Sequence, residues 1–142
     1  MATDWREKHG GRYFSTAQVW ATASTCLKRQ VGATLVRDGY VIATGYNGSP
    51  AGEPQCDDIL ECGETRGCHL VDGKCKRSIH AEHNAILQAA QHGHPTKGAV
   101  MYVTVEPCHE CKMFMRGSGI TEWHWLESKI DRHAPPDAGR IG

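Results

Sequence analysis

The sequence predicts an α/β sandwich built as one domain over residues 1–142. Three observations carry this. Runs rich in β-branched and aromatic residues alternate with runs of helical spacing, two of the β-rich runs flank an Asp-Gly pair, and the order of elements is helix, hairpin, helix, strand, helix, strand. A chain of this length buries a core without disulfide support.

The first helix is read over Tyr13 to about Ser24, where Tyr13, Phe14, Ala17, Trp20 and Ala21 recur at helical spacing and bury one face. Val31–Val36 and Tyr40–Thr44 are strands one and two, antiparallel across the tight turn at Asp38-Gly39. From Gly45 to Lys76 the composition shifts to Gly, Pro, Asp and Cys with no period, a loop long enough to be either functional or cross-linked. His80 to about Gln91 is a second helix, ended by Gly93 and Pro95, with His80 and Glu82 in its first turn. Ala99–Val105 is the third strand. It delivers the chain to Pro107, which suits the first turn of a third helix that stops near Gly117. Ile120–Leu126 is the fourth strand, and residues 127–142 read as a loose tail.

Lysine plus arginine and aspartate plus glutamate balance at 16 each, so no global field draws the chain to a polynucleotide or an anionic membrane. No apolar run approaches the ~20 residues of a membrane span, and the polar opening lacks a signal-peptide core. A cytosolic protein is expected. Seven cysteines in such a compartment point to metal binding rather than disulfides.

His80-Ala81-Glu82 and Pro107-Cys108-His109-Glu110-Cys111 together spell the H-x-E and P-C-x-x-C signature of zinc nucleobase deaminases. One imidazole and two thiolates supply three zinc ligands and leave the fourth tetrahedral position for a water, the arrangement of a catalytic rather than a structural site. Cys108 and Cys111, at i and i+3, share one helix face. Their position at a helix N-terminus beside a cation favours the thiolates. Glu82, two residues past the histidine, carries protons without ligating the metal.

Beyond this signature, Gln30-Val31-Gly32-Ala33, Gly45-Tyr46-Asn47-Gly48-Ser49-Pro50-Ala51-Gly52 and Ile79-His80-Ala81-Glu82-His83-Asn84-Ala85-Ile86-Leu87 resemble the deoxycytidylate (dCMP) deaminase family. The resemblance runs from about Thr22 to Ile120. It implies a cytidine deaminase-like α/β/α sandwich with a mixed central sheet, and a zinc enzyme that converts dCMP to dUMP. It also implies a homo-oligomer, commonly a hexamer, activated by dCTP with accompanying magnesium and inhibited by dTTP. His80, Cys108 and Cys111 take the positions of the catalytic zinc ligands, and Glu82 that of the proton shuttle. Asn47 matches an asparagine that contacts the nucleotide sugar; the other reading is an asparagine holding a left-handed turn before Gly48. Lys28 and Arg29 stand where the family recognises phosphate, or are solvated surface charges. The backbone carbonyl near Glu106 is implied as an acceptor for the exocyclic amine.

The resemblance also implies a second, non-catalytic zinc, with Cys26, Cys56 and Cys75 at its ligand positions and Cys68 favoured over Cys62 and His69 as the fourth; buried thiols without metal are the alternative. His83, His92, His94 and His109 read as surface or helix-end residues. The chain departs from the family in its short C-terminus and in Trp123-His124-Trp125, which fits either an oligomer contact or an ordinary half-buried strand. Rival activities are deamination of dCTP, of tRNA adenosine, or of a free nucleoside or guanine. A rival of another class is a catalytically inactive zinc-binding interaction module, against which the intact His80, Glu82, Cys108 and Cys111 argue.

Overall fold

Asp38 and Gly39 both take positive φ, 53° and 85°, as a two-residue hairpin turn of the favoured twist requires. Around that turn the computed structural model describes residues 4–26, 29–56, 70–71, 74–76 and 78–126. In chain order these form α1 (Trp5–Ala21), β1 (Gly32–Arg37), β2 (Tyr40–Tyr46), β3 (Leu70–Val71), β4 (Lys74–Cys75), α2 (Ala81–Gln91), β5 (Val100–Val103), α3 (His109–Gly117) and β6 (Glu122–Trp125).

The main sheet has the order β2-β1-β5-β6. Strand β1 runs antiparallel to both β2 and β5, whereas β6 runs parallel to β5. The sheet is therefore mixed. Leu35 pairs with Ala43 and Val36 with Val41, so Ile42 is the extra residue of a bulge.

Alternation along the strands sorts side chains to two faces. Ala33, Leu35, Met101, Val103, Trp123 and Trp125 pack with Ala81, Ala85 and Ala89 of α2 and Met115 of α3. On the opposite face Val36, Val100 and Tyr102 pack with Tyr13 and Phe14 of α1. Three layers result, as the resemblance implies.

The small residues of α2 recur at i, i+4 and let that helix lie close on the sheet. A Cβ on Gly45 would stand 2.3 Å from the Ala81 carbonyl oxygen and 2.5 Å from the Ala85 nitrogen, so this strand position accepts glycine alone. The contact fixes where α2, and with it the His80-Ala81-Glu82 segment, meets β2.

Several boundaries differ from the sequence reading. Helix α1 starts at Trp5 rather than Tyr13, because Asp4 caps it by accepting from the Arg6 backbone N–H at 2.7 Å. Helix α3 starts after Pro107, not at it, with Cys108 as its N-cap. Proline there holds the approach to the helix extended instead of occupying its first turn. The long loop holds structure of its own: β3 and β4 form a two-stranded ladder, and Gly48 bridges Ile79. Trp123 and Trp125 fill the chain's own core at 0% and 7% exposure, which favours the reading as an ordinary strand, here fully buried, over that as an oligomer contact. Their neighbours Glu122 and His124 face α1, where Arg6 Nε donates to Glu122 at 2.9 Å and Glu122 also bonds the His124 ring. The tail beyond residue 126 lies outside the described residues, and no helix among those described is long and apolar enough to cross a membrane.

Candidate metal centre

Both helices that carry the motif begin on a metal-type donor. His80 is the N-cap of α2 and Cys108 the N-cap of α3, and neither side chain caps its helix. A cap normally contributes about 1 kcal/mol. Both helices forgo it, and their positive ends converge on one point.

At that point His80 Nδ1 lies 3.1 Å from Cys111 Sγ and 3.6 Å from Cys108 Sγ, and the two sulfurs are 3.5 Å apart. Zinc bound tetrahedrally by nitrogen and sulfur would separate such ligands by roughly 3.5–3.8 Å. The triangle is thus close to the size zinc needs and presents one donor set of the right softness. Among the described residues no other three His, Cys, Asp or Glu donors close in this way.

Glu82 is 3% exposed, next to the triangle. Burial raises its pKa above the ordinary carboxylate value, and this outweighs its own backbone N–H, the His80 charge, a hydrogen bond with Cys111 and the Arg29 charge, all of which lower it. Burial likewise pushes the Cys111 thiol up, with the negative charges of Glu82 and Cys108 adding to the effect. A thiol so placed needs a cation to become a thiolate, which is what a zinc ion supplies.

The other predicted residues divide. Asn47 is 8% exposed and is not in the left-handed region, which removes the simple turn reading. Its Oδ1 accepts from the Val31 N–H at 2.8 Å, and its Nδ2 donates to the Arg29 carbonyl at 2.6 Å. Each amide atom keeps one further hydrogen-bonding position. Arg29 is exposed, within electrostatic reach of Glu82. The Glu106 carboxylate is exposed and accepts from Lys112 Nζ at 3.1 Å across the α3 entry.

Cys26 and Cys56 are both buried, and Cys56 Sγ lies 3.4 Å from Ser78 Oγ. Cys75 sits on β4, but its side chain is outside the description, as are Lys28, Cys62, Cys68 and His69 altogether. The structure therefore brings His80, Cys108 and Cys111 together, while the set of Cys26, Cys56, Cys68 and Cys75 extends outside the described residues.

His83, read as a surface or helix-end residue, lies in the first turn of α2 and is half-buried. Its ring stacks on His80 with centroids 5.4 Å apart and meets Phe114 of α3 at 4.2 Å, and its Nε2 is buried without a partner among the described residues. The i, i+3 spacing from His80 was the available signal. His92 ends α2, bonded to the Gln88 carbonyl, while His94 and His109 are exposed, as expected.

A family model described as the cytidine and deoxycytidylate deaminase zinc-binding region matches residues 8–127. Over 115 residues, 81% of this chain, the sequence is 44% identical to ComE operon protein 2 of Bacillus subtilis, and the chain spans 57% of that relative's length. It is 35% identical to the deoxycytidylate deaminase of Enterobacteria phage T2 over 144 residues, which cover 79% of this chain and 76% of the phage protein. Among solved structures, the dCMP deaminase of cyanophage S-TIM5 in complex with dCMP and dUMP superposes with a TM-score of 0.68. It is 28% identical over 83% of this chain and 80% of that one.

Proposed function

Because the chain belongs to the cytidine and deoxycytidylate deaminase zinc-binding family, we propose that it is a zinc-dependent deaminase that hydrolyses dCMP to dUMP and ammonia. The observation that carries this is Glu82, buried beside the His80–Cys108–Cys111 triangle where two helix starts converge. His80 Nδ1 and the two sulfurs would hold the zinc, which when bound acidifies a water for attack on C4 of the cytosine.

Glu82 moves the protons. Its raised pKa suits a group that both takes and gives protons: it takes one from the attacking water and gives it to N3 of the base, then takes the proton of the new C4 hydroxyl and gives it to the exocyclic amine, which leaves as ammonia. The carbonyl near Glu106 accepts from that amine and orients it. Arg29, with Lys28, takes the phosphate, and Asn47 uses its remaining hydrogen-bonding positions on the sugar. Cys26, Cys56, Cys68 and Cys75 would hold a second zinc that ties down the loop. Family resemblance alone supports a cytosolic hexamer activated by dCTP with magnesium and inhibited by dTTP.

A second reading is a zinc-binding interaction module without turnover; the name of the 44% identical ComE operon protein 2 states no activity. An ammonia-release assay over dCMP, dCTP, deoxycytidine, cytidine and a tRNA anticodon stem-loop separates the readings. Turnover greatest on dCMP is expected. None on any substrate by zinc-replete protein would favour the inactive module, and activity confined to the stem-loop would overturn the mononucleotide reading.

A further inference from the structure

A helix start is usually held by a Ser, Thr, Asp or Asn side chain at the N-cap. At α2 that position belongs to His80, whose imidazole is turned to the two thiols instead. The chain entering the helix is held from the segment just past β2. The Gly48 N–H donates to the Ile79 carbonyl at 3.1 Å and the Ile79 N–H to the Gly48 carbonyl at 2.8 Å, a single antiparallel bridge on the residue just before His80.

Asn84 closes this bridge from the helix side. Its Nδ2 donates to the Tyr46 carbonyl at 2.8 Å and makes a longer contact of 3.4 Å with the Ile79 carbonyl. An amide nitrogen has two hydrogens, so one side chain reaches both the end of β2 and the residue before His80. One turn further on, Gln88 Oε1 accepts from the Thr44 N–H at 2.7 Å. That bond engages the same strand without touching Ile79.

We propose that Asn84 is a positioning residue for the metal centre: by tying Tyr46 and Ile79 together it fixes the backbone at His80, and so the distance from Nδ1 to the sulfurs of Cys108 and Cys111. Groups that orient a metal ligand typically change metal affinity by about 10- to 100-fold when removed. Gln88 is the internal control, since it ties α2 to β2 at comparable strength away from the histidine. The inference rests on the triangle being a zinc site, which the wild-type protein tests separately in the same experiment.

Zinc-loaded protein is titrated with a chromophoric chelator of known affinity, and the release step missing from Cys111→Ser identifies this centre. Asn84→Ala and Asn84→Asp should each weaken zinc at that step by about tenfold or more, the second because a carboxylate has the size of the amide but donates no hydrogen bond. Gln88→Ala should lower the melting temperature and leave zinc affinity within about twofold, below the range of a lost orienting contact. Wild-type affinity in both Asn84 variants, or an equal loss in Gln88→Ala, would overturn the assignment. Failure of both Asn84 variants to fold while Gln88→Ala folds would also overturn it, making Asn84 a general determinant of the fold. Wild-type protein with no such zinc step would overturn the zinc reading itself.

Discussion

Asn47 donates through Nδ2 to the carbonyl of Arg29 at 2.6 Å, and the guanidinium of Arg29 in turn eases the ionisation of buried Glu82. With Oδ1 on the Val31 N–H, one buried side chain fixes the backbone on both sides of Gln30. The loop asparagine is thereby linked to Glu82 through the main chain and the side chain of Arg29.

Asn47→Ala should therefore destabilise the fold by about 1–3 kcal/mol, the cost of leaving buried partners unsatisfied. Urea unfolding measures this. The loss should be accompanied by a smaller preference for dCMP over deoxycytidine, since Arg29 is no longer held. The double variant Lys28→Ala, Arg29→Ala should narrow the same preference by roughly tenfold or more through lost charge-assisted contacts, with its stability little changed. Unaltered kinetics on both substrates would remove these residues from phosphate recognition.

Gly45→Ala forces a methyl to within 2.3 Å of the Ala81 carbonyl oxygen, with backbone rather than a flexible side chain in the way. Helix α2 must shift, at a cost of about 1–3 kcal/mol or more. Thermal unfolding of the zinc-loaded protein should fall by several degrees. Retention of the wild-type melting temperature would mean that the helix does not lie as close as described.

Tyr102 is fully buried, and its hydroxyl has no partner among the described residues. Burial raises its pKa well above the ordinary value, with the Glu122 charge adding to this and Arg6 opposing it. The fold favours the protonated form. Its contribution is complete below about pH 10, the unfolded value, and is lost as pH climbs through the higher folded value. Tyr102→Phe should thus leave stability at pH 7 unchanged or raised and should flatten its decline above about pH 10. A steeper alkaline loss in the variant would contradict the assignment.

Metal content distinguishes the two proposed centres. Glu82→Gln should retain zinc and lose nearly all turnover, because the amide keeps the shape but carries no proton. Activity within about tenfold of wild type would exclude Glu82 as the shuttle, since general acid–base groups contribute about 10²–10⁴-fold. Cys56→Ser should reduce zinc from about two ions per chain to one, since a closed structural site does not tolerate a missing thiolate. Metal analysis that finds one zinc in both proteins would dismiss the second centre.

The sequence by itself determined which donors come together as a candidate metal site, His80, Cys108 and Cys111, and that Glu82 stands beside them. His80, Glu82, Cys108 and Cys111 lie within two short motifs, and the reach of each donor is set by less than one turn of its own helix. The hairpin was equally legible, since Asp38-Gly39 meets a local backbone requirement. What tertiary structure decided involves partners far apart in sequence. Gly10 and Gly11 argue against a helix by propensity alone, yet α1 runs through them, capped by Asp4 and tied by Arg6 to Glu122 across 116 residues. His83 has an exposed residue's polarity and is half-buried where the His80 ring and Phe114 of α3 pack against it. The Trp123-His124-Trp125 run states that its two tryptophans share a face, but a period of two does not say which face is inside. Parallel pairing of β6 with β5 chose the register that turns both indoles toward α2 and α3, and a slip of one residue would have put Glu122 and His124 there instead.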